Sequence, residues 1–334
     1  MKIKVIAELA QGYEGNFEQA KLLLNAAASA GADAAKYQLV YADELATPEY
    51  EYYELFRSLE MKDEEWGLIA KAASDLNIEL QFDIFGSRSL ALAERLGVKA
   101  VKLHGTDINN QGLLEEIRRS GINVVMLGAG GAFSSEVDTA VDLLSGKQVT
   151  VILGFQGYPT PVKSNQIARI QLLSRKKFKL GGRVTLGFAD HADPTSDLRH
   201  ALATVAIGAG ATLLEKHLTL ARNMKLEDHE AAINPDEFGE FVDTIRECAD
   251  AMGTASELSD FGMSEEELRY REMIRRHVVA KFDLKKGLIL SHEHLALKRT
   301  PQPSAETDLS RCYGKLLKRD LTAGSPILLD DLNE

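Results

Sequence analysis

Residues 213–220 read LLEKHLTL. Leucines flank the run Glu215-Lys216-His217, so a buried strand ends in three ionisable groups. Charges rarely enter a core unless they are paired or bound to a metal. Strand alternation sends Glu215 and His217 to one face and Lys216 to the other. The purpose of these groups depends on what this strand joins.

Seven more runs of its kind precede it. IKVIAEL (3–9), AAKYQ (34–38), IELQFDIF (78–85), AVKLH (100–104), NVVML (123–127), VTVILGF (149–155) and VTLGFAD (184–190) read as strands, and TLLEKHL (212–218) is the eighth. Helical patterns lie between them. Phe17, Ala20, Leu23, Leu24, Ala27 and Ala28 keep i, i+3, i+4 spacing, as do Leu198, Leu202, Val205 and Ala209. After the eighth strand, Phe238, Phe241, Val242, Ile245, Cys248 and Met252 form a further stripe. Gly31, Gly97, Gly121 and Gly208 stand near helix ends as stops. Eight βα units in about 250 residues predict a (β/α)8 TIM barrel over residues 1–252. A doubly wound open sheet is disfavoured, because no GxGxxG follows an early strand. AGAGATL (206–213) ends a helix and precedes a strand, the wrong order for a phosphate cradle.

Composition narrows the function. The chain has 334 residues and a net charge of −11, and no basic stripe stands out, which argues against a nucleic-acid partner. The opening MKIKVIAELAQGY turns polar too soon for a signal peptide. No apolar run approaches a membrane span. Cys248 and Cys312 lie far apart with no CxxC spacing, which fits a cytoplasmic protein and gives no zinc site or disulfide framework. Cys248 is expected in the core.

Glu8, Lys36, Asp83, Lys102, His104, Asp190, His191 and His217 all fall at or near the C-terminal ends of predicted strands. In a barrel those ends converge on the face that carries active sites. His191 and His217, on adjacent strands, could hold a divalent cation with open positions for substrate oxygen. The plainer alternative is one core histidine and one hydrogen-bonded loop histidine. Lys36 and Lys102 imply a carboxylate or phosphate ligand, unless they pair with Glu8, Asp83 or Asp107. Glu8 is a candidate general base. From the residues alone, the reading stops at a metal-assisted enzyme acting on an anionic substrate.

Residues 253–276 are charged and poor in strand formers, and read as a linker with a short helix. Residues 277–334 contain a repeat. Asp283-Leu284-x-x-Gly287-x-x-Leu290, then Leu295, matches Asp320-Leu321-x-x-Gly324-x-x-Ile327, then Leu332. Each D-L-x-x-G reads as a turn before an apolar strand, so a small module with pseudo-symmetric halves is expected. His292 and His294 in SHEH are taken as solvated turn residues.

These residues resemble the sialic acid synthase family over essentially the whole chain. VIAELAQGYEGNFEQAKLLLNAAASAGADAAKYQ is similar to the family's opening, and VKLHGTD to its Lys-Ile-x-Ser-x-Glu/Asp segment. YPTP (158–161), GFADHADP, LLEKHLTL and EDHEAAINPDEF match further landmarks, and VVAKFDLKKGLIL through LKRT to YGK resembles the family's antifreeze-like (SAF) domain. The resemblance implies condensation of phosphoenolpyruvate with N-acetylmannosamine or a related amino sugar. His191 and His217 would bind Mn2+ or Mg2+, which polarises the sugar aldehyde. Glu8 would aid water addition, and Lys36 and Lys102 would hold the donor. Gln38, Asp107, Tyr158 and Asp228 match positions that contact the sugar or the metal-bound water. Arg299 matches an arginine that reaches a neighbouring subunit's site, which implies a domain-swapped homodimer.

The sequence departs from the family around the donor. Gly105, Leu127 and Ala189 stand where serines are usual, and Asp83 where a threonine is. FQG (155–157) departs from the usual acceptor loop. Three consequences are compatible with this. Backbone amides or His104 replace the hydroxyls, the donor is another keto acid in an aldolase-type reaction, or the protein binds sugar without catalysis. The survival of Glu8, both lysines and both histidines favours the first.

Overall fold

Eight short runs of apolar and β-branched residues, each followed by a helix, close in this computed structural model into one parallel barrel. The structure describes residues 2–154, 157–176, 183–253 and 262–333. The strands are β1 (Lys4–Ala10), β2 (Ala34–Gln38), β3 (Glu79–Ile84), β4 (Ala100–Leu103), β5 (Val124–Gly128), β6 (Gln148–Leu153), β7 (Val184–Asp190) and β8 (Leu213–His217). They pair in chain order, and β8 returns to β1. β2 and β7 fall on the expected bounds, and the others shift slightly at their ends.

Both faces of the sheet are apolar for most of its height, as a helix-wrapped parallel sheet requires. One alternate set, including Val5, Ala7, Leu9, Tyr37, Leu103 and Leu127, packs outward against the helices. The other set, including Ile6, Ala34, Ala100, Met126, Ile152 and Leu213, fills the interior. Polar residues on the inner face are therefore pushed towards the strand ends.

The helices follow the expected spacing with two corrections. Helix Phe17–Ser29 begins where the Asn16 side chain accepts the Gln19 N–H, and it buries Ala20, Leu23, Leu24 and Ala27. The stripe expected from Leu198 is displaced. The helix there is Ala201–Gly208 and buries Leu202, Ala203, Ala206 and Ile207, leaving Leu198 and Val205 exposed. Helix Pro235–Met252 buries Phe238, Phe241, Val242 and Ile245, but its inner face then passes to Ala249. Cys248 is only half-buried and Met252 is exposed, so Cys248 is not a core residue.

The chain divides into two compact units, Met1–Gly253 and Thr254–Glu334. In the second, β9 (His277–Ala280) pairs with β10 (Leu295–Lys298), and β11 (Leu316–Leu317) with β12 (Leu332–Asn333). The two repeats meet at equivalent positions. Leu284 N–H donates to Leu321 O at 2.7 Å, and Leu321 N–H to Leu284 O at 2.9 Å. Asp283 accepts the Ala323 N–H and Asp320 accepts the Lys286 N–H, each at 2.8 Å. Gly287 and Gly324 have φ of +84° and +82°, the left-handed region that glycine tolerates. The strand expected directly after each turn is only an isolated bridge, Ile289 with Leu316 in the first repeat and Pro326 with Val279 in the second, and the strands β10 and β12 come later, from Leu295 and Leu332. His292 is exposed, and His294 Nδ1 accepts from the Ser291 N–H. The short helix expected in the linker is Glu265–Ile274, whereas linker residues 254–261 lie outside the described residues. No helix of the described residues is long and apolar enough to cross a membrane.

Candidate active site

Register and alternation assemble a charged layer near the top of the barrel. Glu8 aligns with Lys36 on β2 and with His217 on β8, and Asp83 aligns with Lys102. Glu8, Lys36, Asp83, Lys102 and Glu215 point inward and are each at most 6% exposed. Lys36 Nζ donates to Glu8 and to Asp83 Oδ1 (2.5 Å), and lies 3.4 Å from Glu215 Oε2. Lys102 Nζ lies 2.6 Å from Glu215 Oε1, 3.2 Å from Asp83 Oδ2 and 3.9 Å from Glu8 Oε2. Three carboxylates thus share two ammonium groups.

Burial decides the balance at Lys36, whose pKa is lowered despite Asp83 and Glu215. At Lys102 burial also opposes the charge, but Asp83 and Glu215 outweigh it and raise the pKa. Burial works against ionised Glu215 too. Lys102 and Lys36 overcome it and hold the carboxyl well below the usual range.

Two imidazoles sit beside this layer. His191 follows β7, His217 ends β8, and their ring centroids are 5.2 Å apart. Tyr158 covers both, at 4.6 Å from His191 and 5.6 Å from His217. Burial, then the neighbouring His191, pushes the His217 pKa well below its ordinary value. A neutral imidazole keeps a nitrogen lone pair for a ligand. Among the described residues no group of three or more His, Cys, Asp or Glu side chains forms a metal cluster. The pair therefore offers two nitrogens, and other positions would fall to water or substrate oxygen. That donor set fits a divalent ion of mixed nitrogen and oxygen ligation.

Glu8, Gln38, Lys102, His104, Tyr158, His191, Glu215 and His217 line one cavity of about 10 Å3, room for a single water molecule. Lys36 and Asp83 are fully buried and are not among its lining residues. Gln38 Oε1 accepts from Gln11 Nε2 at 2.7 Å. His104 packs on the Phe85 ring, and burial, then Lys102, lowers its pKa. Asp228 is held at φ +63° in the loop after β8. With Tyr158, Lys225, Glu227, His229 and Glu230 it lines a second hollow of about 300 Å3. Burial, then Glu227 and Glu230, raises its carboxyl to about 6.

Several expectations are corrected. Asp107 does not line the cavity; it accepts from the Thr106 hydroxyl (3.2 Å) and Asn110 Nδ2 (3.4 Å). Of the partners considered for the lysines, Glu8 and Asp83 are present and Asp107 is replaced by Glu215. Leu127 belongs to the outer core, and the inward residue at that level is Gly128. Asp190 also leaves the mouth, turning to the outer face beside Lys216. Arg299 is exposed just after β10 in the second unit. Phe155 and Gln156 of the acceptor-loop segment lie outside the described residues. Glu215 is the residue left off the expected site, although alternation in LLEKHLTL already placed it beside His217.

Glycine at 105 has a local cause. A Cβ there would stand 2.9 Å from Gly130 O and 3.2 Å from Gly128 O. A Cβ on Gly154 would stand 2.8 Å from both Ala189 Cβ and Ala189 O. The wall from β4 to β7 is close-packed backbone, with no room for a serine at 105 unless the chain moves.

Fold and site together define a (β/α)8-barrel protein with a buried acid–amine layer and an imidazole pair at its mouth. Residues 23–257 match the NeuB family and residues 275–333 match the SAF domain. The chain belongs to the NeuB family and carries a C-terminal SAF domain. It is 28% identical to the N,N'-diacetyllegionaminic acid synthase of Legionella pneumophila, over 98% of this chain and 94% of that protein. It is 25% identical to human N-acetylneuraminate-9-phosphate synthase, over 93% and 87%. The solved N-acetylneuraminic acid synthetase of Leptospira borgpetersenii, in complex with citrate, superposes with a TM-score of 0.72 at 26% identity, over 81% of this chain and 92% of that one.

Proposed function

We propose that this chain condenses phosphoenolpyruvate with an aldose, an N-acetylated amino sugar such as N-acetylmannosamine, giving a nonulosonic 3-deoxy-2-keto acid and phosphate. The observation that carries this reading is the pairing of His191 and His217 in one cavity with Glu8 and Lys102, with Lys36 buried against Glu8. Family membership and relatives named as synthases support it.

A divalent ion, Mn2+ or Mg2+, held by His191 and His217 would act as a Lewis acid on the sugar aldehyde. Lys102 and Lys36 bind the anionic groups of the donor, exchanging their carboxylate contacts for it. The enol C3 of the donor bonds to the aldehyde carbon as the C=O π bond opens, and the aldehyde oxygen takes up a proton and becomes a hydroxyl. Glu8 takes a proton from the water that adds at the cationic C2 of the donor. The C2–O bond to the phosphoryl group then breaks, phosphate leaves and C2 becomes the keto carbon. Gln38, Tyr158 and Asp228 orient the sugar, with Asp107 and His104 at the rim. Arg299 completes the site of a partner copy in a domain-swapped homodimer, and the protein works in the cytoplasm.

The test is phosphate release from phosphoenolpyruvate and N-acetylmannosamine by the full chain. Turnover lost with chelator and in His217→Ala is expected. No turnover with any of a panel of hexosamines and pentoses would overturn the reading. One observation favours a second reading, sugar binding without catalysis: the space beside the charged layer is only about 10 Å3. Sugar binding that ignores both metal and donor would favour that alternative.

A further inference from the structure

The face of β7 and β8 opposite the imidazoles carries a second ion pair. Asp190 and Lys216 are register partners on neighbouring strands, each one residue before a cavity histidine. Both side chains are fully buried, and Lys216 Nζ lies 3.5 Å from Asp190 Oδ1. Alternation sends the pair outward and His191 and His217 inward. The pair also grips the residue after His191. Asp190 Oδ1 accepts the Ala192 N–H at 2.9 Å, and Lys216 Nζ lies 3.5 Å from Ala192 O. From the other side, the Thr160 N–H donates to His191 O at 2.8 Å. Arg199, Asp193 and His200 are the other charged or titratable groups coupled to this pair.

We infer that Lys216 and Asp190 are positioning residues that set the separation of the two imidazoles from behind the sheet. The backbone ladder already fixes the register of β7 and β8, and it ends at Asp190 and Lys216, so His191 stands just beyond it. The ion pair and its two contacts to Ala192 tie down the chain past that ladder end, and a shift there changes where the His191 ring points relative to His217. The inference rests on the reading of His191 and His217 as ligands of a divalent ion. The placement of such ligands depends on the groups behind them.

The test uses full-length protein titrated with Mn2+ and followed by electron paramagnetic resonance, together with 15N shifts of both rings without metal. The double variant Asp190→Asn/Lys216→Met removes both charges together, so no buried charge is left alone. It is expected to keep the thermal midpoint of the parent, to bind Mn2+ about tenfold to a hundredfold more weakly, and to shift both rings. Asp190→Asn alone, which keeps the acceptor for Ala192, is expected to change affinity and ring shifts in the same direction. If either folded variant matches the parent in Mn2+ affinity and ring shifts, the inference is overturned. A parent that binds no Mn2+ would instead remove the metal reading, and the ring shifts alone would then decide whether the pair positions the histidines.

Discussion

Lys102 Nζ stands 2.6 Å from Glu215 Oε1, with 7% and 1% of the two side chains exposed. Removing one partner of an isolated buried pair leaves an uncompensated charge and costs about 3–5 kcal/mol. Lys102 keeps Asp83 at 3.2 Å when Glu215 is removed, so Glu215→Ala is expected to lose stability in urea denaturation by less than that. Its pH dependence has a fixed sign. The folded pKa of Glu215 is depressed, so its contribution is present above the ordinary value of 4.5 and is lost as pH falls towards the folded value. The acid limb of the stability curve should therefore flatten in Glu215→Ala, and an unchanged limb would contradict the pairing.

Asp228 behaves in the opposite sense. Its folded pKa is raised from 3.8 to about 6. Its contribution is present below pH 3.8 and is lost as pH rises through 6. Asp228→Asn should raise the denaturation midpoint at pH 8 and leave it unchanged at pH 3. The same variant should lose the acid limb near pH 6 in kcat/KM and turn over more slowly.

In the proposed reaction, Glu8 takes the proton of the adding water. Glu8→Gln is expected to lower kcat roughly 100- to 10,000-fold, the range of general acid–base catalysis. Sugar affinity by calorimetry should hold within a few-fold, and a collapse of sugar binding instead would point to a positioning role for Glu8.

Gly105→Ser tests the packed wall. The new Cβ would lie 2.9 Å from the Gly130 carbonyl oxygen, so the backbone has to move. Overpacking of this kind costs about 1–3 kcal/mol. The expected result is a lower melting temperature with no gain in donor affinity.

The barrel was legible because its signal is repetitive. Every strand alternates or runs apolar, and β2 and β7 span AAKYQ and VTLGFAD from end to end. Glu8, Lys36, Lys102, His191 and His217 were legible by the same rule, since each lies at a strand end. What failed depended on which face a residue occupies at the last turn of a strand. Leu127 and Asp190 stand one step out of phase with the cavity, and a one-residue step reverses the side. Leu198 misled because the turn before its helix is longer than the apolar spacing implied. The tight approach of Gly105 to Gly128 and Gly130 joins two separate loops, and no local pattern reports that.

In the small C-terminal unit, each aspartate of the repeat closes the turn of the other half, Asp283 on Ala323 and Asp320 on Lys286. Neither half owns a finished turn. A chain cut between the two copies would strip both of their closing bonds at once, so this unit can be lost only whole, and deleting its final thirty or so residues should unravel the copy that remains.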